Sequence, residues 1–96
     1  MSNSKNFVGT TNNPEITLEE MLDVLKRLPH ISAARVQLEK GAEGTPHFQW
    51  VTCHTKYVHW NTMKKKFPTS HVEKAKNAMA SWNYCGKEDT RIEGPQ

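Results

Sequence analysis

Three polar residues in the middle of the chain have the types and spacing of a cation site: Glu39, His47 and Gln49. Carboxylate and amide oxygens are hard ligands of the kind that Mg²⁺, Mn²⁺ or Ca²⁺ prefer, and a single imidazole shifts the preference toward Mn²⁺. Zinc sites in proteins usually take three or four ligands from Cys, His, Asp and Glu, so this set does not favour zinc. The residue types therefore indicate a divalent-cation site, provided that the fold brings them together.

Two alternating strands joined by a short loop would do so. Gly41–Thr45 has the composition of a hairpin loop, and side chains alternate between polar and apolar on both sides of it. Antiparallel pairing across this loop sets Glu39 opposite His47 and Gln37 opposite Gln49, with paired Cβ atoms about 4.5–5.5 Å apart. A His-x-Gln pair on a strand is also common on the solvated side of a half-buried sheet, so spacing alone leaves both interpretations open.

A tyrosine near the end of the chain is a second candidate for chemistry. The segment Lys74–Lys87 has the apolar spacing of a helix, with Trp82 at the centre of the packing stripe and Tyr84 on another side. Lys87 follows Tyr84 by three positions, so its ammonium group would lie beside the phenol or beside the group that the phenol attacks. A surface tyrosine followed by a lysine gives the same pattern, and Gly86 weakens the helix there.

The remaining pattern predicts an α+β scaffold in which the first helix packs on the apolar face of the hairpin. In chain order we expect a frayed segment over Met1–Asn6, a strand over Phe7–Asn12, a helix that begins at the Thr17–Glu20 capping box and stops before Pro29, the hairpin over Ile31–His54, a helix over Thr55–Phe67, a short edge strand over Ser70–Glu73 and a helix over Lys74–Lys87.

Length and composition limit the alternatives. With 96 residues the chain is expected to form one domain, and its net charge of +3 permits a nucleic-acid partner without requiring one. The two cysteines, Cys53 and Cys85, are too few for a disulfide framework, and we find neither a secretory signal nor a membrane-spanning apolar run. A reducing intracellular compartment fits this composition, and no membrane partner is expected.

Three segments resemble, in order, the motifs of the replication initiator (Rep) proteins of circular single-stranded DNA viruses: Thr10–Pro14, Pro46–Gln49 and Tyr84–Asp89. The His-x-Gln form looks most like the circovirus and nanovirus branch. The resemblance covers nearly the whole chain and implies one HUH endonuclease domain over residues 1–96, with an antiparallel sheet of about five strands and two to three helices in an RNA-recognition-like fold. Full-length relatives continue into a helicase domain, and nothing here resembles a Walker A loop, so no nucleotide cofactor is expected in this domain.

The resemblance also implies roles for individual residues. The protein would be a metal-dependent endonuclease that nicks and joins single-stranded DNA at a viral replication origin through a covalent 5′-phosphotyrosine, in the host nucleus. Glu43 would be the alternative to Glu39 as the acidic ligand. The implied roles are Glu39, His47 and Gln49 as ligands of Mn²⁺ or Mg²⁺, Tyr84 as nucleophile, Lys87 as its assistant, and Thr10, Thr11, Asn12, Asn13, Lys56 and Lys74 as DNA contacts.

The chain departs from the family pattern at three positions. Relatives usually have an aromatic and a leucine-like residue where this chain has Gly9 and Thr11, and often a glycine where it has Trp50. Two other functions stay open from the sequence: a non-catalytic module that binds single-stranded nucleic acid on a similar sheet, and a small protein-interaction domain.

Overall fold

Five antiparallel strands and two helices are bounded within the residues that the computed structural model describes, which are 3–40, 44–77, 82 and 91–93. The strands form one sheet in the order β4-β1-β3-β2-β5. This confirms the predicted α+β class, and β4 confirms the predicted edge strand. The elements are β1 (Asn3–Asn12), α1 (Leu18–Lys26), β2 (Ile31–Lys40), β3 (Pro46–His59), α2 (Trp60–Lys66), β4 (His71–Lys74) and β5 (Arg91–Glu93).

Helix α1 begins where the capping pattern predicts. Glu20 N donates a hydrogen bond to Thr17 Oγ1 at 3.1 Å, and Thr17 N donates one to Glu20 Oε1 at 2.9 Å. This reciprocal capping box satisfies two backbone donors that the helix itself leaves free. Leu18, Met21 and Leu25 are buried on one side of the helix. Neither α1 nor α2, the helices of the described residues, is long and apolar enough to cross a membrane.

The hydrophobic core lies between α1, α2 and one face of the sheet. The predicted packing of α1 on the apolar side of the hairpin is confirmed, because Val36, Phe48 and Trp50 are buried in the same cluster as the helix residues. Burying each large apolar side chain contributes about 1.5–3 kcal/mol. The cluster consists of Phe7, Leu18, Met21, Leu25, Leu28, Val36, Phe48, Trp50, Val58, Met63, Phe67 and Val72.

Trp50 and Gly9 are direct partners across β3 and β1. The indole ring covers Gly9 so closely that a Cβ atom there would overlap it. Trp50 Nε1 donates to Thr11 Oγ1 at 3.2 Å, and the Trp50 ring packs on Phe67 with centroids 4.9 Å apart. The departures from the family pattern at Gly9, Thr11 and Trp50 are therefore one packed group on the core side of the sheet.

Strand β3 is longer than the sequence predicts. The helix expected over Thr55–Phe67 begins only at Trp60, because β3 continues to His59. The frayed segment expected over Met1–Asn6 is wrong from Asn3 onward, because β1 starts at Asn3 and Asn3 pairs with His59; Met1 and Ser2 lie outside the described residues. β-Branched and aromatic residues in this part of β3 suit a strand, but the partners of Val58 and His59 are Ser4 and Asn3 of the distant N-terminal segment.

The helix predicted over Lys74–Lys87 is wrong at its start. Lys74 is the last residue of β4, and Ala75 N continues the pairing by donating to the Asn6 carbonyl at 2.9 Å. Residues 75–77 are not helical, whereas Trp82 is helical. The other positions of that predicted helix lie outside the described residues.

His54 is a structural histidine on the core side of the sheet. Its Nδ1 donates to the Pro29 carbonyl at 2.7 Å, and its Nε2 accepts from Thr52 Oγ1 at 3.0 Å. Its ring also meets Phe7 edge-on, with centroids 5.6 Å apart. Burial lowers the pKa of the His54 imidazole, although the hydrogen bond to Pro29 acts in the opposite direction. The folded protein therefore favours a neutral ring at this position.

Candidate metal centre on the polar face of the sheet

The predicted ligands lie next to one another on the sheet face opposite α1. Glu39 pairs with His47 and Gln37 with Gln49 across β2 and β3, so the predicted register is confirmed. Thr10 of β1 lies opposite Gln49 on the other side of β3. Glu39 and Gln37 are fully buried, while His47 and Gln49 are half-buried. The face is therefore polar in composition, yet its β2 side chains are shielded from water.

Two of the candidate ligands, His47 and Glu39, are in direct contact. His47 Nε2 lies 3.3 Å from Glu39 Oε1, and His47 Nδ1 lies 3.2 Å from the Thr45 carbonyl oxygen. Because a carbonyl oxygen can only accept, the contact with Thr45 requires a proton on Nδ1, and Nε2 is the ring nitrogen that faces the carboxylate. Two acceptors at this distance are stabilised when a cation or a second ring proton lies between them.

This arrangement fits a divalent cation. Metal-binding histidines typically donate their second N–H to a carbonyl or carboxylate, as His47 does to Thr45. The separation of 3.3 Å is close to the spacing of adjacent ligands in an octahedral shell, about 3 Å for ligand bonds of about 2.1 Å. The described residues contain no group of three or more His, Cys, Asp and Glu side chains that could hold a metal ion, and the third predicted donor is the Gln49 amide.

Thr10 fixes the amide of Gln49. Thr10 Oγ1 donates to Gln49 Oε1 at 3.1 Å, so the hydroxyl restrains the orientation of that amide. The sequence predicted Thr10 as a DNA contact, whereas the structure places its hydroxyl on a candidate metal ligand. β-Strand alternation could have indicated this contact, since Thr10 and Gln49 share one face, but the length of β1 and its pairing with β3 were needed to align them.

Gln37 lies on the polar face, as strand alternation predicts, although it is not one of the predicted ligands. Its Nε2 donates to Glu39 Oε2 at 3.0 Å. The signal available in the sequence was the Gln-x-Glu spacing, which places both side chains on one side of a strand.

Arg35 links the same face to the segment that precedes Tyr84. Its Nη1 donates to the Trp82 carbonyl at 3.1 Å, and its guanidinium carbon lies 5.5 Å from the centroid of the Trp82 ring. Trp82 is two positions before Tyr84 in the sequence. Tyr84 and Lys87, and the alternative ligand Glu43, lie outside the described residues.

Comparison with known proteins identifies the family. Residues 4–88 match the model of the viral replication protein family Viral_Rep, and this range includes β2 and β3, β1 from Ser4 onward, and Tyr84. The chain is a viral replication protein domain.

Its relatives are master replication proteins. The chain is 40% identical to that of banana bunchy top virus over 90 residues, 37% identical to that of faba bean necrotic yellows virus over 87, and 35% identical to that of milk vetch dwarf virus over 89. These alignments cover 90–93% of this chain and 28–29% of each relative, so the chain spans less than a third of their length. The resemblance to Rep proteins of the nanovirus type is thus confirmed.

Within this viral replication protein domain, the first motif lies on both sides of the sheet. Thr11 points to the core side, where its hydroxyl accepts from Trp50 and shares a 2.7 Å hydrogen bond with Ser70 Oγ. Asn12 is exposed and is the β1 partner of His47. Asn13 is also exposed, has a positive φ of 48°, and donates its N–H to the Pro46 carbonyl at 2.8 Å. Asn12 and Asn13 thus offer amides beside the candidate centre, and Thr11 does not.

A polar cleft of about 410 Å³ continues from this motif. Its lining residues are Thr11, Asn12, Asn13, Pro14, Glu15 and Thr69. The two predicted lysine contacts are exposed and lie apart from each other. Lys74 ends β4 beside β1, whereas Lys56 lies near the other end of β3 from His47.

Proposed function

We propose that this domain nicks and joins single-stranded DNA at a viral replication origin and so begins rolling-circle replication in the host nucleus. The observation that carries the proposal is the contact of Glu39 Oε1 with His47 Nε2 at 3.3 Å, on a polar face that Arg35 links to the tyrosine segment. Membership of the viral replication protein family supports it.

The covalent step is assigned to Tyr84. Its Oη attacks a phosphodiester phosphorus, an Oη–P bond forms and the P–O3′ bond breaks, which leaves a 5′-phosphotyrosine and a free 3′-hydroxyl. The phenol loses its proton and the leaving 3′-oxygen gains one. Attack by a 3′-hydroxyl reverses the step and rejoins the strand. Lys87 offsets negative charge on the phosphate, because its ammonium group is three positions from the tyrosine.

The described residues provide the environment of that step. Glu39, His47 and Gln49 would hold Mn²⁺ or Mg²⁺, which supplies Lewis-acid polarisation of the phosphate oxygens. Asn12 and Asn13 lie next to these ligands and would hold the DNA backbone, while Lys74 lies at the neighbouring sheet edge. We expect a single-stranded substrate, because a duplex is too wide for its backbone to thread between the sheet and the tyrosine.

The test is the formation of a covalent adduct. The protein is mixed with labelled single-stranded origin fragments from the viruses of its relatives, with Mn²⁺ or with EDTA, and the products are separated on a denaturing gel. We expect an adduct that needs Mn²⁺ and disappears in Tyr84→Phe. Tyr57→Phe is the matched control, because Tyr57 is 68% exposed and lies near the opposite end of β3 from His47. An adduct that persists in Tyr84→Phe would refute the assignment, and DNA binding without any adduct in EDTA or Mn²⁺ would indicate a non-catalytic binding module.

A further inference from the structure

Gln37 is the buried neighbour of the acidic ligand. It is 0% exposed, it lies two positions before Glu39 on the same face of β2, and its Nε2 donates to Glu39 Oε2 at 3.0 Å. Across the strand pair it lies opposite Gln49. Gln37 is therefore enclosed between two of the three candidate ligands, without access to substrate or solvent.

The two carboxylate oxygens of Glu39 contact different residues. Oε2 accepts from Gln37, and Oε1 faces His47 Nε2. Glu39 is 1% exposed, so its carboxylate has lost most of its hydration. The hydrogen bond from Gln37 to Oε2 offsets part of this desolvation cost and restrains the rotation of the carboxylate. A donor at Oε2 thereby sets the direction in which the other oxygen, Oε1, points.

We propose that Gln37 is a positioning residue for the cation: it holds Glu39 so that Oε1 and His47 Nε2 face one ion. This inference rests on the proposed metal centre. Outer partners of metal ligands typically change metal affinity by about 10–100-fold when they are removed. Gln37 therefore acts through Glu39 and sets the affinity of the site for its ion, without contact with DNA.

The first experiment measures Mn²⁺ binding by calorimetry and by the loss of the free-ion signal in electron paramagnetic resonance. Gln37→Met keeps the length of the side chain and removes the donor, and we expect its Kd for Mn²⁺ to rise by about 10–100-fold. Val51→Ala is the control, because Val51 is also 0% exposed and lies on the same face of the sheet as Gln37, in β3 opposite Arg35. It should lower the melting temperature and leave the Kd unchanged.

The second experiment needs no variant at Gln37 and so does not depend on whether Gln37→Met folds. The side-chain amide protons of Gln37 are followed by NMR during titration of the wild-type protein with Mg²⁺. We expect them to shift with the same Kd as the His47 ring signals, and to lose this response in Glu39→Ala.

The possible results separate this inference from the proposal beneath it. If the wild type binds Mn²⁺, Glu39→Ala does not, and Gln37→Met binds as the wild type does, the positioning role is refuted and the metal centre stands. Gln37 amide signals that stay constant while the His47 ring signals shift would refute it as well. If the wild type binds neither ion, both the centre and the role of Gln37 are rejected.

Discussion

Gly9 and Trp50 should depend on each other energetically, and a double-mutant cycle can measure that dependence. A Cβ atom at Gly9 would overlap Cζ2 and Cε2 of the indole, far inside the contact distance of about 3.5–4.0 Å between carbon atoms. Trp50 is fully buried, is hydrogen-bonded to Thr11 and packs on Phe67, so it cannot turn away freely. We predict that Gly9→Ala lowers the free energy of unfolding by about 3 kcal/mol, at the upper end of the cost of overpacking.

The cost should disappear once the ring is removed. Trp50→Ala alone should destabilise the domain by about 3–5 kcal/mol. In that background the new methyl group at Gly9 has space, and alanine is favoured over glycine inside a strand by about 0.5 kcal/mol. The expected coupling energy between the two positions is therefore about 3–4 kcal/mol, measured by urea denaturation of the four proteins.

Two further sets of variants test the double-mutant cycle. Val8→Ala, one position away on the other face of β1, should combine with Trp50→Ala additively to within about 0.5 kcal/mol. Gly9→Phe with Trp50→Gly restores the residue types usual in Rep relatives and should be more stable than Trp50→Gly alone. A Gly9/Trp50 coupling no larger than that of the Val8 control would refute the close packing inferred here.

Three further results are expected. Thr17→Ala removes the capping box and should lower the free energy of unfolding by about 1 kcal/mol in urea denaturation; a change below about 0.3 kcal/mol would contradict the role of the cap. The pKa of His54 is lowered in the folded state, so the unfolded state takes up a proton first as the pH falls. The contribution of His54 to stability should therefore be complete above its ordinary pKa of 6.5 and decrease as the pH drops below that value. His54→Gln should flatten this part of a stability–pH profile. Arg35→Met should slow adduct formation by about tenfold or more through loss of a charged hydrogen bond while leaving the Kd for Mn²⁺ unchanged. Arg35→Lys should not restore the rate, because an ammonium group lacks the planar fork that meets Trp82; restoration by lysine would show that charge alone matters.

The sequence predicted the part of the site that depends on local geometry. Glu39, His47 and Gln49 belong to one hairpin, so strand alternation and a short loop were enough to place them on one face in the correct register. The capped helix α1 was predictable for the same reason, since the Thr17 and Glu20 signals are three positions apart.

The parts that failed depend on contacts between distant segments. The extension of β3 exists because Asn3 pairs with His59, 56 positions later. The helix expected from Lys74 does not begin there, because Lys74 belongs to β4, which pairs with β1. Thr10 lies beside Gln49 only because β1 inserts between β4 and β3. Alternation says on which side of a strand a residue lies, and it does not say which strand is next to it.

Glu39 and His47 face each other across the last rungs of a single hairpin, with Lys40 and Pro46 paired beyond them. The other residue pairs of β2 and β3 already hold the two strands in register. The length of the connecting loop therefore has little effect on the relative positions of Glu39 and His47. Doubling the length of such a connection costs only about 0.6 kcal/mol in chain entropy. A connection of this kind is thus a suitable insertion point for a peptide tag or reporter, a few residues from Glu39 and His47 and separated from them by the Lys40–Pro46 pair.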